Sequence, residues 1–333
     1  MDTTYVILAI VVFLALAFDF INGFHDTANA IATTVSTRAL KPRVAIMLAA
    51  TMNLVGALTF TGVAKRIGGS VADPATLEHG VQIVIAALIS AIMWNLLTWA
   101  LGIPSSSSHT LIGSLAGAVI SSEGFDGINA SGFTSIVQGL IFSPIIAFTI
   151  GFIVMWLFKQ IFANRSPHQL NKGFRTGQIM TAAMQSFAHG TNDAQKAMGI
   201  IVFALMAADI QETDNVPLWV KLSAAIAMAA GTSIGGWKII KTMGTKIFKI
   251  EPINGFAADV TSFGVIMSAT VTHFPVSSTH VITSAILGVG SAKRFASVKW
   301  GVAGKIVVSW VITIPISMVV AAGVFQVIKF FFL

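Results

Sequence analysis

Long apolar runs separated by short charged stretches dominate this chain, and they decide the solvent in which it can fold. The runs fall at about 4–37, 43–63, 82–102, 105–121, 134–160, 176–207, 217–237, 255–274, 277–290 and 300–332. A helix of about 20 such residues crosses a hydrocarbon core of about 30 Å. Charged residues make up 10% of the chain against 55% hydrophobic, and mean hydropathy is +0.83. A soluble domain of 333 residues cannot cover its surface with so few charges. The expected fold class is therefore an all-α polytopic protein of the lipid bilayer. The first run lacks a positive leader and a small-residue cleavage site, so it reads as a retained span. The absence of cysteine excludes disulfides and cysteine-ligated metals. A formal charge of +7 lies in short loops, where it orients a membrane protein and does not call for nucleic acid.

The charges between the runs are sorted. "RALKPR" (38–43), 159–175, 238–249 and 291–299 are basic, whereas "SSEGFDG" (121–127) and "ADIQETDN" (208–215) are acidic. Placing the basic loops in the cytoplasm predicts a multi-pass protein of the cell membrane with both termini outside. Residues 1–160 then form a first repeat, 161–175 a short basic cytoplasmic linker, and 176–333 a second repeat of inverted topology. Each repeat reads as span, span, hairpin, span. Two motif pairs support the repeat: "GFHDTANA" (23–30) with "GTNDAQKA" (190–197), and "PSSSSH" (104–109) with "PVSSTH" (275–280). Inverted repeats of this kind mark secondary transporters, with sites where the repeats meet near the midplane.

The serine motifs follow prolines, which disfavour helix before them, and serine then caps a new helix. The arm that follows the first, 105–121, is short for a full crossing, so the hairpins are expected to be re-entrant. A helix that starts inside the membrane presents free N–H groups and the positive end of its dipole. With the hydroxyls of Ser105, Ser106, Ser107, Ser108, Ser277, Ser278 and Thr279, two facing nests of donors suit a small tetrahedral oxyanion.

In the first run Asp19, Asn22, Asp26, Asn29 and Thr33 recur at helical spacing as one polar stripe. Some 34 residues would measure about 50 Å as one helix, so a break is expected near Gly23. The second copy places Gln185, His189, Asn192 and Lys196 on a similar stripe, with Asp193 beside it. A midplane carboxylate defaults to a functional role. Asp26, Asn29, Asn192 and Asp193 offer hard oxygen ligands that suit Na⁺, or carboxylates that could carry a proton. His25 and Gln185 are supporting residues, and His109 and His280 are expected to orient the serine loops. Lys196 reads two ways, attracting the anion or neutralising Asp193. Asp259 is a further ionisable residue that could lie on the cation path.

These motifs resemble the paired signatures of the inorganic phosphate transporter (PiT) family, related to the solute carrier 20 cotransporters, over essentially the whole chain. The resemblance is to the prokaryotic type, with no large central insertion. It implies a cation-coupled symporter of inorganic phosphate, with inverted repeats, external termini and a homodimeric assembly. It also implies that Asp26, Asn29, Asn192, Asp193 and the hairpin Ser/Thr residues hold cation and phosphate. His25 departs from the Asn of many members, and Lys196 stands where the first copy has Asn29. No organic cofactor is expected; the coupling ion is Na⁺ or H⁺.

Other readings are an H⁺-coupled phosphate carrier or a carrier of sulfate or arsenate. An intramembrane metalloenzyme using His25, Asp26, His109, His189 and His280 would lack any HExxH pair. A passive anion channel would not need the two Asp motifs.

Overall fold

The computed structural model describes residues 3–73 and 76–332, which form twelve α-helices and, among the described residues, no strand. The first repeat comprises α1 (Thr3–Ser36), α2 (Pro42–Ala57), α3 (Gly62–Ser70), the hairpin α4 (Gly80–Leu101) and α5 (Ser107–Glu123), and α6 (Ala130–Ile161). The second comprises α7 (Pro167–Ala207), α8 (Leu218–Ile234), α9 (Trp237–Lys241), the hairpin α10 (Pro252–Val271) and α11 (Ser278–Arg294), and α12 (Trp300–Phe332). Four helices, α1, α4, α6 and α12, are long and apolar enough to cross a membrane, and the bent α8–α9 pair makes a fifth candidate. Local signals set the ends: Asn129 caps α6, and Ser166 followed by Pro167 starts α7. Residues 167–175 of the expected linker are therefore helical, and α7 is longer than its apolar run.

The break expected near Gly23 is absent. α1 runs unbroken through the motif, as does α7 through Gly190. The interruption lies one helix later in each repeat. α2 gives way to α3 across residues 58–61, and α8 turns by 62° into the segment 237–246, which ends as a π turn. Gly23 instead permits close helix packing: a Cβ there would lie 2.3 Å from the Met228 carbonyl oxygen of α8. Gly190 does the same on α7, 2.3 Å from the Asn53 carbonyl oxygen of α2. Small residues at crossings are how helices approach in lipid, where hydrophobic burial drives no association.

These pairings, and two more, run between repeats: α1 packs on α8, α2 on α7, α5 on α12 and α6 on α11. Two apolar cores result. One gathers Leu8 to Phe18 of α1 with the later part of α7 (Ala194 to Leu205) and the first part of α8. The other gathers Ala28 to Ala32 with the later part of α6 (Ala147, Met155) and most of α11 (Val281 to Val289). The polar stripe of α1 lies between these cores, so the fold places its functional layer at the seam.

At matching places in the two hairpins, α4 ends on Gly102 (φ 66°) and α10 is followed by His273 (φ 60°), both left-handed. The chain then turns back through "IPSSSS" and "FPVSST". The tips lie alongside the interiors of the long helices. Trp310 of α12 donates from Nε1 to the Pro104 carbonyl (3.2 Å), and a Cβ on Gly139 of α6 would lie 2.9 Å from the Phe274 ring.

The crossings give a direct test. Alanine at Gly23 or Gly190 must push two backbones apart, and overpacking of this kind costs about 1–3 kcal/mol. Each variant is expected to lower the thermal unfolding midpoint in detergent. A Cβ added at Gly323 of α12 would meet no atom within 4 Å, so Gly323→Ala should be neutral or stabilising by up to about 1 kcal/mol. Equal midpoints for all three variants would refute the crossing argument.

Candidate functional site

α1 carries Asp26 to the seam, where it is 2% exposed. Ser107, the first residue of α5, donates to its Oδ2 (3.0 Å), and Thr279 of α11 donates to its Oδ1 (3.0 Å). His25 Nδ1 lies 2.9 Å from the same Oδ1, and its Nε2 lies 3.1 Å from Thr98 Oγ1 of α4. Asn29 donates from Nδ2 to Thr279 Oγ1 (2.7 Å), which leaves its carbonyl oxygen unpartnered. One carboxylate is thus held by hydroxyls from both hairpins.

Asp193 is the counterpart on α7, fully buried. Ser278, the first residue of α11, donates to its Oδ2 (2.6 Å), repeating the Ser107–Asp26 bond. His189 Nε2 lies 3.0 Å from that oxygen, and the Lys196 ammonium bonds Oδ1. Lys196 is 1% exposed. Asn192 donates to Thr270 Oγ1 (3.3 Å) and the Phe274 carbonyl (3.4 Å), with its own oxygen unpartnered. Asp26, His189 and Asp193 each bring one donor atom within 4.8 Å of the others. The two motifs therefore form one cluster.

The two hairpin tips meet: Ser108 Oγ donates to the Val276 carbonyl (3.0 Å). Ser106 and Ser277 act as N-caps, accepting from the backbone N–H of His109 (3.1 Å) and His280 (3.2 Å). His109 Nδ1 also reaches Ser106 Oγ (2.8 Å), and the two imidazoles lie 4.3 Å apart, with Trp310 stacked on His280. The histidines thus brace the tips. Ser105 is not brought to the carboxylates. Its hydroxyl accepts from Trp94 Nε1 (3.2 Å) and lies 3.3 Å from Thr313 Oγ1. The alternation is physical, because successive residues entering a helix point in different directions. Gln185 is buried with neither side-chain polar atom partnered. Asp259 stands apart from the cluster, accepting from Thr33 (2.7 Å) and Thr181 (3.0 Å).

Asn53 of α2 is a contributor that the motifs do not reveal. Its Oδ1 lies 3.2 Å from His189 Nδ1 and its Nδ2 donates to Thr232 (2.9 Å), which ties α2, α7 and α8 together. A lone amide inside the apolar run 43–63 is the signal that could have found it.

Helix N-termini, hydroxyls and carboxylates converging between inverted repeats are what an anion carrier requires. A family profile described as "Phosphate transporter family" matches residues 22–321, which span both Asp motifs and both serine tips. The chain belongs to the phosphate transporter family. It is a membrane transporter and not an enzyme. A Bacillus subtilis (strain 168) protein named "Probable low-affinity inorganic phosphate transporter" is 56% identical over 100% of both chains. A Rhizobium meliloti (strain 1021) protein of the same name is 42% identical over 97% of each. A solved structure described as "The sodium-dependent phosphate transporter" superposes with a TM-score of 0.86 at 24% identity, covering 98% of this chain and 100% of that one. This likeness extends the fold to nearly the whole transporter.

Proposed function

We propose that this transporter carries inorganic phosphate together with Na⁺ by alternating access, with phosphate between the two hairpin tips and a cation at Asp26, the Asp193 carboxylate being paired with the Lys196 ammonium. The observation that carries this reading is the state of the hydroxyls. Ser107 and Thr279 donate to Asp26, and Ser278 donates to Asp193. Each hydroxyl has one proton to donate, so it serves either a carboxylate or an anion. A cation bound at Asp26 takes over the stabilisation of that charge and frees two hydroxyls. These, with the N–H groups that begin α5 and α11, then receive phosphate at two helix N-termini. Cation binding thus prepares the anion site, and bringing cation and anion in together reduces the cost of burying either charge.

The unpartnered carbonyl oxygens of Asn29 and Asn192 favour phosphate over sulfate. Protonated phosphate can donate to them and sulfate cannot. The oxygen-rich cluster favours Na⁺ over H⁺, as the name of the superposed structure does for that protein. In this reading the two hairpins are re-entrant and gate opposite sides. The sorted basic loops support a place in the cell membrane with both termini outside, and the family resemblance supports a homodimer.

Radiolabelled phosphate uptake into proteoliposomes tests this, with a Na⁺ gradient and a pH gradient imposed separately. Concentrative uptake is expected with Na⁺, competed by arsenate and not by sulfate. Uptake driven by pH alone would replace Na⁺ by H⁺ in the mechanism. Failure under both gradients, by folded protein, would end the symport reading.

A further inference from the structure

Four carboxylates and one ammonium are buried along the polar stripe of α1 and its partners, and one of the four, Asp259, accepts from Thr33 and Thr181. Asp26 meets two hydroxyls, and Asp193 meets Lys196. The remaining carboxylate, Asp19, is fully buried, and no hydrogen bond of proper geometry reaches either of its oxygens. The Asn22 side chain, one turn along α1, faces it, and Lys196 and Asp193 lie within electrostatic reach. Asn22 and Asn95 are also fully buried, and the amide atoms of both lack partners.

Register brings these three residues together. At one end of the α1–α4 pair Ile7 and Val81 line the same pocket, and further along His25 bonds Thr98 and the Phe24 and Trp99 rings lie 5.1 Å apart. The two helices therefore run parallel with a nearly constant offset, which sets Asn95 level with Asn22. This register puts a carboxylate and two amide side chains on facing stretches of α1 and α4, all of them fully buried. Leaving such groups unpaired is costly.

We infer that Asp19, Asn22 and Asn95 form a cation site, separate from Asp26 and about 10 Å from it along α1, that takes a monovalent hard cation of the Na⁺ class. Lys196 explains why a site is needed here. Its tethered ammonium fills the place at Asp193 that a free cation would otherwise occupy. The chain thereby holds two carboxylates open to mobile cations, Asp26 and Asp19, and not the symmetric pair Asp26 and Asp193. Oxygen ligands alone, with no nitrogen or sulfur required, suit a hard cation. The inference rests on the cation-coupled reading above and adds the position of the second ion.

Equilibrium binding of radiolabelled Na⁺ to the purified full-length transporter, in phosphate-free buffer, tests it. Asp19→Asn is expected to bind one Na⁺ fewer per chain than the unaltered protein. Asn95→Ala keeps the carboxylate and is expected to weaken one class of Na⁺ binding on the order of tenfold. An unchanged Na⁺ count in folded Asp19→Asn, as expected if Asp19 simply carries a proton, overturns the site. Should Asp19→Asn fail to fold, unchanged Na⁺ affinity in Asn95→Ala overturns it instead. An unaltered protein that binds no Na⁺, yet takes up phosphate under a pH gradient, overturns the sodium reading and this site with it. The two failures are thus distinguishable.

Discussion

Phosphate uptake driven by a Na⁺ gradient is expected to fall about a thousandfold in Asp26→Asn at sub-saturating Na⁺. The amide preserves the shape of the side chain and can still accept from Ser107 or Thr279, so the packing around α1 is kept. What disappears is the charge. A pair of unit charges about 4 Å apart, in surroundings of effective dielectric about 20, is worth roughly 4 kcal/mol. That converts to about a factor of a thousand in cation affinity. The same substitution removes the reason for cation binding to release the two hydroxyls, one from each hairpin. Both coupling and anion binding should therefore suffer. The measurement is initial uptake rate against Na⁺ concentration in proteoliposomes, with size-exclusion profiles as the folding control. Uptake within a few-fold of the unaltered protein would remove Asp26 from the cation site.

The pseudo-symmetric substitution should fail for a different reason. Asp193→Asn leaves the Lys196 ammonium buried at 1% exposure without its carboxylate. Breaking a buried pair by removing one partner costs about 3–5 kcal/mol, because the remaining charge stays desolvated. Loss of folded protein is the expected result, seen as a lower unfolding midpoint and a poorer yield. Replacing the whole pair with uncharged groups avoids this penalty. The double variant Asp193→Asn/Lys196→Met should therefore recover most of the stability. If Asp193→Asn proves as stable as the unaltered protein, Lys196 is not balanced by Asp193, and the asymmetry between the two motifs collapses. The contrast separates the two repeats: at Asp26 the expected loss lies in transport, and at Asp193 it lies in the fold.

That asymmetry is only half visible in the residues. Lys196 at the position matching Asn29 shows that the copies are not equivalent, but not whether the ammonium faces an anion or a carboxylate. The folded contact settles it: the Lys196 ammonium bonds Asp193 Oδ1 inside the protein. Likewise the seven hairpin hydroxyls read as one group along the chain, and the structure divides them. Ser107, Ser278 and Thr279 reach carboxylates, Ser106 and Ser277 cap helices, Ser108 joins the tips, and Ser105 turns towards Trp94 and Thr313. Serine is the same residue in all of these roles. Its position relative to the first helical turn assigns the work.

The solvent, the helical class, the inverted repeat and the paired motifs are all legible in the order of residues. Each is a property of short range: apolar length against bilayer thickness, charge in loops, a proline followed by a cap, and polar residues at helical spacing. Which helix of each repeat is interrupted, and which repeat each helix packs against, depends on the packed assembly of helices. Gly23 could serve a break or a crossing, and the arrival of α8 makes it a crossing. Thr279 reaches Asn29 across 250 residues of chain and donates to Asp26 in the same motif. No periodicity encodes such a contact. It exists because α11 packs on α6 while α1 packs on α8, which interlocks the repeats and brings both serine tips to the same seam.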